Sequence, residues 1–270
     1  MRKAIPRLLL VGAMLVPLAT TTEANAAPRY VDRAITLPRL VFAGDAGIGI
    51  AHRRFFDGTT GVGFNLEGAI GITDTVELGL RTGLRVGSVR QRAVAADSYG
   101  RTLWTETWGV NGDAVANPEF RVRWAAYSGS VAEVGLDGRV FLPIEDGSRF
   151  GMMFGVPLAF HAGSILRIDT GVYVPIVFYP DPPGTFTAIS IPGYFWFQVS
   201  ERLWLGPMAG LRFVDVGDEH RGHLLIGFGL GYQVANAVDL KTQIFFPQVN
   251  TGEGARAWGA GFGVQFRIGE

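Results

Sequence analysis

The final stretch of the chain, Ala257-Trp-Gly-Ala-Gly-Phe-Gly-Val-Gln-Phe-Arg-Ile-Gly-Glu270, sorts its residues by parity. Trp258, Ala260, Phe262, Val264, Phe266 and Ile268 fall on one face of an extended strand. Ala257, Gly259, Gly261, Gly263, Gln265 and Arg267 fall on the other. One face therefore offers a continuous row of large apolar groups, and the opposite face offers only small or polar ones. The same alternation recurs along most of the chain. Val62, Phe64, Leu66, Ile70 and Ile72 alternate with Gly63, Asn65, Glu67, Ala69 and Gly71; Val76, Leu78, Leu80, Leu84 and Val86 alternate with Glu77, Gly79, Arg81, Gly83 and Arg85. A period of two sustained over ten or so residues is a β signal.

Counting such segments from Leu40 onward predicts about twelve strands. The connections between them alternate in length. Thr73 to Thr75, Ser128 to Ser130, Ala162 to Ser164, Ser200 to Arg202 and Ala235 to Ala237 are tight turns. The intervening connections at Phe56 to Gly61, Val89 to Asn117, Glu145 to Arg149, Pro180 to Thr185, Gly217 to Arg221 and Gln248 to Gly254 are longer and more polar. Short turns on one rim and long loops on the other, with an apolar outer face, predict an all-β fold: a transmembrane antiparallel up-and-down β-barrel of about 12 strands. In hydrocarbon every backbone polar group must pair within the protein, and a closed sheet achieves this without helices. Aromatic girdles are expected at the two rims, from Phe178, Phe186, Phe213, Phe246 and Trp258 on the loop side and Trp124, Phe160, Phe197, Tyr232 and Phe266 on the turn side.

The other end of the chain reads as an address. Arg2, Lys3 and Arg7 precede the apolar run Leu8 to Ala19, and Ala24-Asn25-Ala26 supplies a small-x-small cleavage pattern, so residues 1–26 are expected to be a signal peptide. Residues 27–270 would form the barrel, with a long outer loop near 89–117. The chain has 24 Lys and Arg against 24 Asp and Glu. Removing the leader leaves a slight acidic excess, which argues against nucleic acid as a partner. There is no cysteine, hence neither a disulfide frame nor an N-terminal lipid anchor.

Gly263-Val-Gln-Phe266-Arg-Ile268 resembles the C-terminal signal of bacterial outer-membrane β-barrel proteins, although Gly269 and Glu270 follow where such proteins usually stop on phenylalanine. The resemblance implies assembly by the barrel-assembly machinery into the cell outer membrane, with outer-membrane lipid as the surrounding partner and Gly263, Phe266 and Ile268 as the assembly signal.

The face opposite the apolar one would line a lumen rich in charge. Glu67, Glu77, Glu133, Asp137 and Asp169 meet Arg81, Arg85, Arg121, Arg123, Arg139, Arg167, Arg212, Lys241 and Arg267, joined by Asp45, Glu119 and Asp239. Two readings follow. The charges line a porin-like channel for passive passage of small polar or amphipathic solutes, or they pair to fill a closed structural or surface-interaction barrel. In the connection at 89–117, Tyr99, Trp104 and Trp108 suggest either a constriction folded inward or a hairpin extending the strands. No enzyme is expected. The histidines are His52, His161, His220 and His223, no Gly-x-Ser-x-Gly elbow occurs, and no metal-ligand spacing or cofactor motif is seen.

Overall fold

The computed structural model describes residues 28–53, 59–87, 114–145, 147–180, 183–214, 221–251 and 256–269. Twelve strands close into one antiparallel barrel. They are β1 (Phe42–Arg53), β2 (Thr59–Gly71), β3 (Val76–Gly87), β4 (Val115–Ser128), β5 (Ala132–Phe141), β6 (Gly151–Ala162), β7 (Leu166–Pro180), β8 (Pro183–Gln198), β9 (Leu203–Val214), β10 (Arg221–Ala235), β11 (Val238–Phe246) and β12 (Trp258–Ile268). Each strand pairs with its neighbours in sequence, and β1 pairs with β12 from Phe42↔Ile268 to His52↔Trp258. Closure removes the two free edges that a twelve-stranded sheet would otherwise expose.

The parity of the sequence sets the two faces. Leu66, Leu80, Leu84, Phe120, Val122 and Phe154 point outward and are exposed, while Glu67, Arg81, Arg121 and Arg123 beside them are buried inside. Local register shifts at Arg81/Gly83, Ala125/Tyr127 and Gln233/Ala235 add residues to one strand of a pair, as β-bulges do.

All five short turns fall where alternation places them. Two expectations change. The β7–β8 connection is tight, because pairing continues to Pro180↔Pro183, where a longer loop spanning Pro180 to Thr185 was expected. Phe186 belongs to no outer girdle: it packs against a lumen cluster of Phe141, Met153, Tyr173, Val177 and Ala188. Both faces of β8 carry large apolar groups, so parity alone does not say which one faces in. On the expected rims, Phe178 meets Phe150 with ring centroids 5.6 Å apart, and Trp258 lies beside His52 at 6.0 Å.

The chain before β1 does not lie outside the barrel. A short 3₁₀ turn, η1 (Tyr30–Asp32), and the extended residues after it run inside the turn end of the lumen, where Tyr30, Val31, Ile35 and Leu37 are almost completely buried. The segment leaves over Gly71. A Cβ there would fall 2.0 Å from the Pro38 carbonyl oxygen, so only glycine lets the backbone cross so closely. Leu40 takes up the reversal with φ of 63°, an uncommon conformation for a residue bearing a side chain. The backbone bonds Leu40 N–H to Gly71 O (2.8 Å) and Gly71 N–H to Val41 O (3.0 Å) hold it there.

Candidate functional site

The lumen has two unlike walls. Strands β2 to β5 carry a ladder of buried ions. Arg121 bridges Glu67 and Glu77, at 2.8 Å to each. Arg81 pairs with Glu119, which also accepts from Arg139 at 2.7 Å. Asp137 then accepts from Arg139 (2.7 Å) and from Arg123 (2.7 and 3.0 Å). Arg121, Glu119, Arg139 and Asp137 are each shared between two ionic partners, which links the pairs into one network. Such sharing is what makes buried ions tolerable where water is scarce. Lys241 pairs with Asp45 across β11 and β1, Arg167 with Asp169 on β7 (2.8 Å), and Arg267 lies 3.6 Å from Asp239.

Strands β6 to β10 gather aromatic and apolar clusters, although Arg167 and Asp169 on β7 and Arg212 on β9 are buried among them. Tyr194, Trp196, Trp204, Met208 and Leu225 form one buried cluster with Tyr30, joined by Phe245. Tyr194 and Trp196 stack with planes 5° apart. The Trp204 ring lies flat on the wall because β10 supplies Gly231 beneath it, where a Cβ would approach the ring to 2.1 Å.

The expected lumen residues Glu67, Glu77, Arg81, Arg121, Arg123, Glu133, Asp137, Arg139, Arg167, Asp169, Arg212, Lys241 and Arg267 are all buried inside. The backbone of Arg85 pairs with Gly63, and its side chain lies outside the described residues. Tyr99, Trp104 and Trp108 also lie outside them. On β12, Gly263 faces the lumen near Lys241 and Asp45, whereas Phe266 and Ile268 face outward, the Phe266 ring lying across Gly44. Among the described residues no group of three His, Cys, Asp or Glu is placed to hold a metal ion.

What alternation did not reveal is the N-terminal segment as part of this site. Arg33 donates to both oxygens of Asp239 (2.6 and 3.2 Å), and its guanidinium lies 5.4 Å from the centre of the Trp204 ring. Tyr30 stacks on Trp204 with centroids 4.9 Å apart and planes 7° apart, and meets Trp196 edge-on at 5.5 Å. The backbone of the segment is held by polar and charged side chains of the wall. His161 lies between Val31 O (Nδ1, 2.7 Å) and Glu133 (Nε2, 2.8 Å). Arg167 donates to Arg33 O and Arg123 to Ile35 O (3.4 Å), while Ile35 N–H donates to Glu133 (2.9 Å) and Leu37 N–H to Glu77 (3.0 Å). Thr36 Oγ1 and Arg39 N–H tie the segment to Asp74 in the β2–β3 turn. The residues that grip it sit next to short turns, so the segment spans the turn end of the lumen.

No family model matches the chain, and no curated protein matches it. Solved structures do. An outer membrane channel from Pseudomonas putida F1 is 11% identical with a TM-score of 0.61, covering 86% of this chain and 97% of that one. The NanC porin is 11% identical (TM-score 0.55; 83% and 100% covered), and the KdgM porin 10% identical (TM-score 0.53; 84% and 99%). Identities this low speak for architecture alone: the chain has the fold of the bacterial outer-membrane barrels of twelve strands.

Proposed function

We propose that the protein is an outer-membrane channel for passive passage of small polar or amphipathic solutes, without a catalytic step. The observation that carries this reading is the uneven lining of the lumen, with a network of ion pairs on β2 to β5 and aromatic and apolar clusters on β6 to β10, where Arg167, Asp169 and Arg212 are the buried charges. A solute with an apolar ring or chain and a polar group meets a matching surface on each side, as ligand sites pair apolar lining with a few placed polar groups. The exposed apolar exterior suits lipid, since a soluble monomer rarely shows a patch of that extent. Likeness of fold to two porins and a channel supports the reading.

The membrane assignment has its own test. Leu80, exposed in the middle of β3, would face hydrocarbon, so Leu80→Arg is expected to destabilise the barrel in lipid vesicles by about 2–4 kcal/mol. Glu201→Arg in an exposed turn is expected to stay within about 0.5 kcal/mol. Equal effects at both positions would argue that Leu80 meets water.

A second reading, a closed structural or surface-interaction barrel, draws on the paired lumen charges and on the segment across the turn end. Single-channel recording of the folded protein in a planar bilayer separates the two. Discrete steps, with a reversal potential that shifts under a salt gradient, are expected. A folded barrel that never conducts, with residues 28–37 present or removed, would replace the channel by the closed barrel.

A further inference from the structure

Residues 30–37 are held in an unusual way for a buried segment. Ladder pairing of this part of the chain begins only at Arg39, opposite Gly71. Before that point the segment's N–H and C=O groups at Val31, Arg33, Ile35 and Leu37 meet side chains of the wall. Two consequences follow. The segment can leave without breaking any strand pair, so the barrel keeps its closed ladder when the turn end is vacated. What it leaves behind is a row of side-chain donors and acceptors spaced for an extended backbone, next to a flat aromatic surface at Trp204.

We propose that the turn end of the lumen is a binding site for extended peptide, recognised mainly through its main chain, and that residues 30–37 occupy it as a displaceable inner gate. The occupant adds two side-chain anchors, Tyr30 on Trp204 and Arg33 on Asp239, which set its register. Main-chain recognition by fixed donors and acceptors, with side-chain pockets adding specificity, is how extended peptides are read elsewhere. The gate role rests on the channel reading; the peptide site does not.

The test uses the barrel lacking residues 28–37 and a synthetic peptide of residues 28–38. Removal is expected to raise the conductance or the open fraction several-fold over the full chain. Added peptide should bind the truncated barrel saturably, changing its tryptophan fluorescence, and block the current from one side of the bilayer only. Tethering supplies an effective concentration of about a millimolar, so the titration must extend into that range. No saturable binding would overturn the peptide site. Equal conductance of truncated and full chains would overturn the gate and leave the channel standing. Peptide binding to a barrel that is silent in both forms would retain the site and remove the channel.

Should the truncated chain not fold, Arg33→Glu in the full chain sets two carboxylates against each other and is expected to open the gate. Arg33→Lys, which keeps a cation opposite Asp239, is expected to stay mostly closed. Opening by Arg33→Lys equal to that by Arg33→Glu, or no opening by either, would overturn the docking described here.

Discussion

Replacing Asp137 with alanine is expected to lower the stability of the folded barrel by about 3–5 kcal/mol, the cost of removing one partner from a buried ion group. Asp137 accepts from Arg123 and from Arg139, both nearly inaccessible to water. Its loss leaves two guanidinium groups close together, each short of an acceptor, in a medium that screens them poorly. Arg139 retains Glu119, and Arg123 retains the Ile35 carbonyl oxygen. Urea unfolding of protein folded into lipid vesicles measures the effect. A loss below about 1 kcal/mol, the size found for exposed pairs, would mean that water reaches Arg123 and Arg139 and that this part of the lumen is wet.

Trp204→Ala is expected to cost a similar amount, about 3–5 kcal/mol, but to act on a different property as well. Trp204 is 2% exposed and contacts Tyr30 and Arg33 of the N-terminal segment. Its removal deletes a stacked pair and a desolvated cation–π contact, on the order of 0.5–1.5 and 2 kcal/mol. The inner end should therefore loosen as the barrel loses stability. In vesicles the variant is expected to unfold at lower urea, and in planar bilayers to open more often than the unmodified chain. Reduced stability with unchanged openings would assign Trp204 to the wall alone. Leu80→Arg offers the comparison, since Leu80 lies exposed on the outer face of β3, whereas the Asp137 partner Arg123 also holds the Ile35 carbonyl oxygen of the segment.

The strand number and the facing of most residues could be read directly from alternation. Val122 between Arg121 and Arg123, or Leu80 between Gly79 and Arg81, leaves no doubt about which side meets apolar surroundings, because a one-residue slip would move every charge to the outer face. The same logic failed at Phe186. Neighbouring positions in β8, Tyr194, Phe195, Trp196 and Phe197, are large on both faces, and a pattern without contrast cannot choose a side. Prolines at 180 and 183 looked like a loop because proline interrupts a ladder in most sheets. Here they pair across the end of a hairpin, where a missing N–H costs little.

Arg33 shows where sequence reading stops. The stretch from Pro28 to Leu40 has no sustained alternation, and its charges, Arg29, Asp32, Arg33 and Arg39, are equally at home on a solvated tail. Asp239 is 206 positions away, and only closure of β1 against β12 brings the two within reach. The sequence alone determined a closed sheet with an apolar exterior and charged interior, because period two in side chains is a local property of an extended backbone. The pairing of lumen charges, the aromatic wall and the segment across the turn end were decided by tertiary structure, because each depends on contacts across the barrel, between residues that no local pattern connects.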